Sequence, residues 1–160
     1  MTDLIAGSIV KPAVRREAKT ISGGEDMGSN KAKLSQEEKI ARVRAAYAAG
    51  NAGNIEKSLE FFSENLVFHS PVFPQPIGKD ALRAATQRIF ERTDEYRLEP
   101  HDILANDDHI VALLIVHGRR GDRVLKERGV WVMHMDDEGK VNELWVVTDP
   151  MPHLALWGDA

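Results

Sequence analysis

Cysteine is absent from the 160 residues of this chain. Disulfide bonds, cysteine-ligated zinc, iron–sulfur clusters and thiol nucleophiles are therefore excluded. A basic excess is also missing, because 21 lysines and arginines stand against 25 aspartates and glutamates, a net charge of −4. This balance disfavours electrostatic binding of nucleic-acid phosphates or anionic lipids, so we expect neither nucleic acid nor a membrane as a partner.

Long apolar runs are missing as well, since no stretch approaches the ~20 residues that a bilayer crossing needs. The first residues also lack the charged region and apolar stretch of a secretion signal, so we expect a cytoplasmic protein. Otherwise the composition is that of a folded domain, with 42% hydrophobic and 29% charged residues.

Residues 1–33 differ from the rest of the chain. They contain several glycines, six basic and four acidic residues, and no sustained helical or strand period. We therefore predict an N-terminal extension over residues 1–33, followed by a single domain over residues 34–160. The extension is expected either to be flexible or to wrap around a dimer.

Helical signals come first within the domain. Ser35 and Glu38 have the spacing of a capping box, which predicts a helix that begins there and ends near Gly50. Asn54 is placed to cap a short second helix, and the apolar spacing in residues 80–92 predicts a third.

Strand signals follow the helices. A short strand is predicted over residues 66–70, and proline at three positions makes residues 71–78 a loop. Short turn-forming breaks separate four long predicted strands, which should therefore be antiparallel neighbours: residues 96–105, 109–118, 123–135 and 140–149. This grouping predicts an α+β fold, with one curved sheet packed on three N-terminal helices.

The segment over residues 110–116 is apolar at every position, so both faces of the sheet must be covered there. The helices cover only one face. We expect a second copy of the sheet to cover the other, which makes the protein a homodimer. The alternative is that the N-terminal extension folds over that face.

Five short segments resemble turns and packing sites of a known superfamily. They are Gly53-Asn54-Ile55-Glu56, Phe68-His69-Ser70-Pro71, Ile77-Gly78-Lys79-Asp80-Ala81-Leu82, Asp137-Glu138-Gly139-Lys140-Val141 and Glu143-Leu144-Trp145. Together with the element order, they resemble the nuclear transport factor 2-like fold, a cone shared by ketosteroid isomerases and SnoaL-like polyketide cyclases. The likeness covers about residues 34–157.

Catalytic residues of two branches of that superfamily are not carried over. The place of the ketosteroid isomerases' proton-shuttling Asp is held by Ser70, and that of their oxyanion-hole Asp by Trp131. Tyr47 is one residue away from the place of their oxyanion-hole Tyr. The resemblance to limonene-epoxide hydrolases puts Val146 where those enzymes need an Asp, and residues 109–118 contain no Arg-x-Asp. We expect neither chemistry.

The resemblance also implies that Trp131 faces the inside of the cone. Strand alternation then sends Met133 inward, and neighbouring strands and helices add further apolar side chains. The predicted ligand-binding residues are Tyr47, Phe62, Ser70, Phe90, Trp131, Met133, Leu144, Val146 and Thr148. They indicate an apolar pocket, unless these side chains meet and fill the space.

Two histidines are the predicted catalytic residues. His69 lies at the expected rim of the cone, where an imidazole with a reference pKa of ~6.5 can exchange protons near neutrality. Alternation lets only one of His69 and Ser70 point inside. His117 could approach the same cavity or could be a solvated strand-end residue. Asp149 before Pro150 is either an orienting group or, as we expect, a helix cap.

The predicted function is binding of a small hydrophobic molecule in the pocket. If the chain is an enzyme, the SnoaL-like resemblance implies a cofactor-free isomerase or cyclase that uses His69. No metal-ligand spacing and no dinucleotide or phosphate-binding glycine motif is present, so we predict no metal and no cofactor. The alternatives are a non-catalytic binding module and a dimeric protein–protein association domain.

Overall fold

The structure is a computed structural model, and it describes residues 33–158. Almost all of the predicted extension lies outside the described residues. The helices are α1 (Gln36–Asn51), α2 (Ile55–Leu59), α3 (Lys79–Arg92) and α4 (Pro150–Trp157). The strands are β1 (Phe62–His69), β2 (Glu95–Ala105), β3 (Ile110–Arg120), β4 (Arg123–Met135) and β5 (Val141–Val147).

The five strands form one curved sheet in the order β1-β5-β4-β3-β2. The four long strands are antiparallel neighbours, whereas β1 pairs with β5 in parallel. The predicted α+β fold is thereby confirmed. Strand β1 begins at Phe62, four residues earlier than predicted, because an irregularity between Phe62 and Val67 breaks the alternation that would have revealed it.

Helix starts follow the local chemistry of their caps. The Ser35 hydroxyl accepts a hydrogen bond from the Glu38 N–H at 3.2 Å, and the Glu38 carboxylate accepts one from the Ser35 N–H at 2.7 Å. This reciprocal pair is the predicted capping box. At α4 the Asp149 carboxylate accepts a hydrogen bond from the Met151 N–H at 2.9 Å, so the predicted helix cap is confirmed.

The core lies between the helices and one face of the sheet, here called the inner face. On β3 this face carries Ile110, Ala112, Leu114 and Val116, each at most 1% exposed. The first three pack with side chains of α1 and α2 in one apolar cluster, whereas Val116 packs with Leu125 and Leu156 in a second. Burying one such side chain contributes about 1.5–3 kcal/mol, so the inner face anchors the fold.

The opposite face of the sheet, the outer face, is also apolar at its centre. Val111 and Leu113 of β3 lie beside Val132 and Val130 of β4, and all four are only partly buried within the described chain. Exposed Trp145 of β5 continues this surface. The predicted second sheet would cover these side chains.

Helix α4 folds back against the inner face at one end of the sheet. Leu156 packs with Val116 and Leu125. A Cβ atom on Gly118 would lie 2.5 Å from the Leu156 side chain, so the lack of a side chain there lets α4 approach. Within residues 33–158, no helix combines the length and apolarity that a membrane crossing requires.

Candidate functional site

A cavity of about 160 Å³ lies between the helices and the inner face. Side chains from all four helices, all five strands and the loop after β1 contribute to its mainly apolar lining. The volume is below the ~300–1,000 Å³ of common ligand sites. It is close to the ~150 Å³ of an engineered cavity that accepts benzene in another protein. The space therefore fits a molecule of about one ring.

Most of the predicted ligand-binding residues line this cavity. The lining includes Tyr47, Phe62, Ser70, Phe90, Trp131, Leu144, Val146 and Thr148. The exception among the predicted set is Met133, which is 1% exposed and packs within the solid part of the core. Its inward direction follows the alternation of β4, since Trp131 two residues earlier also faces inward.

The structure corrects the placement of His69. Ser70 lines the cavity, as does Phe68, so His69 between them points to the outer face. There its ring stacks on Trp145 with centroids 3.8 Å apart, and its Nε2 lies 3.2 Å from an oxygen of Glu143. The predicted catalytic role for His69 in the cavity therefore has no support in the geometry.

His117 needs the same correction. Its neighbour Val116 faces the cavity, so alternation along β3 turns His117 to the outer face. Its Nε2 lies 3.0 Å from Glu99, and Arg97 donates to the same oxygen at 2.7 Å. These contacts lower the pKa of Glu99, the hydrogen bond from Arg97 most of all. His117 is thus part of a surface ion-pair group.

The acid–base group that does line the cavity is His153 of α4, which is 4% exposed. Its Nε2 lies 3.0 Å from Oε2 of Glu127 and 3.3 Å from Oγ1 of Thr148. The contact with Oε2 has the distance of an ion pair, although that oxygen has no well-aligned donor among residues 33–158.

Glu127 is held in place by its second oxygen. Oε1 accepts hydrogen bonds from the Thr148 hydroxyl at 2.7 Å and from the Asp149 N–H at 2.8 Å. These two donors fix the carboxylate group, with its other oxygen beside the imidazole. His153, Glu127 and Thr148 therefore form a connected polar group at one end of an apolar space.

Burial lowers the pKa of His153, although Glu127 and Asp149 act in the opposite direction. Burial therefore disfavours the protonated form of the imidazole. Its Nδ1 is buried and has no hydrogen-bond partner among the described residues. The same is true of two other polar atoms on lining residues, Tyr47 Oη and Trp157 Nε1.

Unmatched buried polar atoms are uncommon in folded proteins and need an explanation. Burial raises the pKa of Tyr47, so its hydroxyl stays protonated and keeps a hydrogen to donate. A mainly apolar space whose lining residues carry a few polar groups is typical of small-molecule sites. Among residues 33–158, no group of three or more histidine and acidic side chains could hold a metal ion.

The sequence contains two signals for Glu127, His153 and Trp157, which were not among the predicted site residues. Glu127 precedes Gly129 and Trp131 at strand spacing, so alternation from Trp131 places it inward as well. His153 and Trp157 are four residues apart on α4 and therefore share a helix face. This face meets the cavity because of the way α4 packs on the sheet, and no short sequence pattern predicts that packing.

Comparisons with known proteins agree with this fold. The SnoaL-like domain model matches residues 43–144, well over half of the chain. The search of curated proteins found no match. Similar solved structures include Bal32a from a soil-derived mobile gene cassette, with 23% identity and a TM-score of 0.68 over 77% of this chain and 98% of that one.

Two further structures carry a functional name. A candidate polyketide cyclase from Bacillus cereus ATCC 10987 is 25% identical, with a TM-score of 0.65 over 78% of this chain and 85% of that one. A candidate polyketide cyclase from Xanthomonas campestris pv. campestris is 22% identical, with a TM-score of 0.63 over 77% and 98%. Given the family-model match, the chain belongs to the SnoaL-like domain family of the nuclear transport factor 2-like superfamily.

Proposed function

We propose that this protein binds a small, mainly apolar molecule of about one ring in the cavity. The observation that carries the proposal is a largely apolar hollow of about 160 Å³ whose lining residues hold three buried, unmatched polar atoms. The names of the two polyketide cyclase candidates support action on a small molecule. A solidly packed interior would instead have favoured a protein–protein association domain.

Catalysis of the isomerase or cyclase type, without a cofactor, stays a prediction within this proposal. Its acid–base group would be His153 rather than His69, because only His153 lines the cavity. A neutral imidazole with one free ring nitrogen is the form that a general base requires. A non-catalytic binding module would use the same hollow.

Titration of the full-length protein with toluene, followed by calorimetry, tests the binding proposal. We expect one saturable site per chain. Ala85 lines the cavity from α3, so Ala85→Leu should fill part of the space and weaken toluene binding about tenfold or more. Ala81→Leu is the matched control, because Ala81 lies on the same helix but is exposed and outside the lining. Absence of toluene binding, or equal binding by Ala85→Leu, would contradict the proposal.

A second copy of the chain is the proposed occupant of the outer face. The apolar centre of that face is formed by Val111, Leu113, Val130 and Val132, which are only partly buried within the described chain. A two-fold axis through this centre would set the same apolar surface of the two copies against each other. The apolar centre would be buried between them.

Sedimentation of the full-length protein tests this dimer. We expect a dimer for the natural sequence and a monomer for Val130→Glu, which places a charge at the apolar centre. Leu154→Glu is the control, because Leu154 is exposed on α4. A monomeric natural protein would contradict the proposal.

A further inference from the structure

Helix α3 forms one side of the cavity, and the side chains that it contributes share one face of the helix. They are Leu82, Ala85, Thr86, Ile89 and Phe90. Resting on the binding function proposed above, we propose that the second half of α3 is a movable wall through which the ligand enters and leaves. This α3 wall comprises residues 85–92.

Burial distinguishes α3 from the other elements around the cavity. Among the described residues, Lys79 is the only residue of α3 that is buried. Lining side chains of α1, α2 and the sheet are much less accessible, since Tyr47, Leu59 and Leu144 are at most 9% exposed. The cavity is therefore screened from solvent least well along α3.

Packing separates the two halves of α3. Leu82 in the first half packs against the apolar cluster on the inner face. Within residues 33–158, Ile89 and Phe90 belong to neither apolar cluster, although both line the cavity. A segment with few buried apolar contacts opens locally at a smaller free-energy cost than the rest of the fold. The α3 wall is such a segment.

Side-chain hydrogen bonds hold the first half of α3 in place. The buried Nζ of Lys79 donates to the Phe62 carbonyl of β1 at 3.0 Å. Arg83 donates to a carboxylate oxygen of Glu56 on α2 at 2.9 Å. The start of the helix is thus tied to two neighbouring elements.

The second half of α3 is tied less firmly. Arg92 donates to the Trp157 carbonyl of α4 at 3.4 Å, which is longer than the usual ~2.7–3.2 Å. Just beyond the helix, the Asp94 N–H donates to the Arg119 carbonyl at 2.8 Å and fixes the chain again. Because it is held at both ends, the α3 wall opens by local unwinding or bending of its last two turns.

The loop over residues 71–78 is the other candidate entrance, since Val72 and Phe73 also line the cavity. Phe73 packs against the apolar cluster, and Phe68 and Ile77 exchange backbone hydrogen bonds of 2.9 and 3.0 Å. Three prolines further restrict the backbone of the loop. The loop is therefore fastened at points where the α3 wall is not.

The rate at which toluene leaves the full-length protein tests the entry route. Arg88 in the α3 wall and Arg44 in α1 are both exposed, and glycine in place of either weakens its helix by a similar amount. We expect Arg88→Gly to speed toluene association and dissociation alike, by about three- to fivefold, with an unchanged dissociation constant. The matched control Arg44→Gly should leave both rates unchanged. NMR exchange spectroscopy measures them.

Unchanged rates in Arg88→Gly would overturn the inference, because the ligand would then pass elsewhere. Equal acceleration by both variants would also overturn it, because toluene would then leave through unfolding of the whole domain. In either case toluene binding would still uphold the cavity. No toluene binding at all would instead refute the proposed function, and the entry route with it.

Amide hydrogen exchange of the free natural protein tests the wall without a variant or a ligand. Residues 88–92 and 47–51 are the last five residues of α3 and α1, so their distances from the helix ends match. We expect the amides of residues 88–92 to exchange at least about tenfold faster, through an opening that low urea concentrations do not accelerate. Equal protection of the two segments would overturn the inference.

Discussion

The sheet carries a histidine–glutamate contact on each of its faces, and the two differ in burial rather than in residue type. On the inner face, the side chains of His153 and Glu127 are 5% and 15% exposed, with 3.0 Å between Nε2 and Oε2. On the outer face, Glu143 contacts His69 at 3.2 Å and His134 at 3.0 Å, and these side chains are 23–37% exposed. Similar distances therefore accompany different surroundings.

The difference shows what burial adds to a histidine. At the outer contact, water can hydrogen bond to whatever the protein leaves unmatched, and ion pairs in such surroundings contribute little to stability. At the inner contact, Nδ1 of His153 is closed off from solvent and has no partner among the described residues, so burial there carries a cost that the outer contact avoids. The same two residue types thus form a surface contact in one place and a buried polar group on the cavity lining in the other.

The largest expected effect on stability comes from removing the glutamate carboxylate of each contact in turn. Glu127→Ala would leave the Thr148 hydroxyl and the Asp149 N–H without their acceptor and would remove the carboxylate beside the imidazole, so it should destabilise the protein by about 2–4 kcal/mol. Glu143→Ala removes a partly exposed acceptor and should cost less than about 1 kcal/mol. Urea unfolding at one fixed protein concentration measures both free energies.

Equal losses for the two variants would show that the inner contact has no special energetic role. Glu127→Gln refines the result, since an amide can still accept one hydrogen bond but carries no charge. We expect its loss to lie between zero and that of Glu127→Ala.

The sequence was a good guide to those parts of the fold that local chemistry decides. The capping box at Ser35, the loop over residues 71–78 and the antiparallel order of β2 to β5 depend on nearby residues and short turns. The inward direction of Trp131 could be predicted only from the family resemblance. The pairing of β4 with β5 then placed Val146, opposite Trp131, on the same face of the sheet.

The polar end of the site could not be predicted in the same way. Whether His69 or Ser70 faces the cavity depends on which residues of β1 point inward after its irregular start. Strand alternation shows that the two residues point to opposite faces, but not which of them points inward. His153 enters the cavity only because α4 packs back onto the sheet beside Gly118. Such long-range packing joins residues that no short pattern links.

The next expected effect concerns pH. The pKa of His153 is lowered in the folded protein, with burial the main cause, against an unfolded value of ~6.5. Below about pH 6.5 the unfolded chain therefore binds a proton that the folded chain does not, so this group lowers stability as pH falls from there towards its folded pKa. Its contribution is at most about 1.4 kcal/mol per pH unit.

Urea unfolding between pH 7.5 and pH 5, chosen here to bracket about 6.5, checks this dependence. The difference in unfolding free energy between the natural protein and His153→Gln should change with pH in the stated direction. The same buffers must be used for both proteins throughout. Three groups near His153 also affect the local charge, namely Glu127, Asp149 and Tyr96. A difference that stays constant over this range would contradict a buried neutral imidazole.

The smallest expected effect sharpens the comparison at two adjacent residues. Ser70 lines the cavity, and His69 faces the other side of the sheet. Ser70→Ala makes the lining more apolar and should raise toluene affinity about two- to threefold. His69→Ala should leave toluene affinity unchanged, as measured by calorimetry. The reverse pattern would place His69 rather than Ser70 at the cavity.

A crystal structure of the full-length protein with toluene bound tests the central claim most directly. We expect the toluene ring inside the cavity, in contact with lining side chains such as Phe90 and Trp131. A cavity closed by rearranged side chains, or toluene bound only elsewhere on the protein, would contradict the claim.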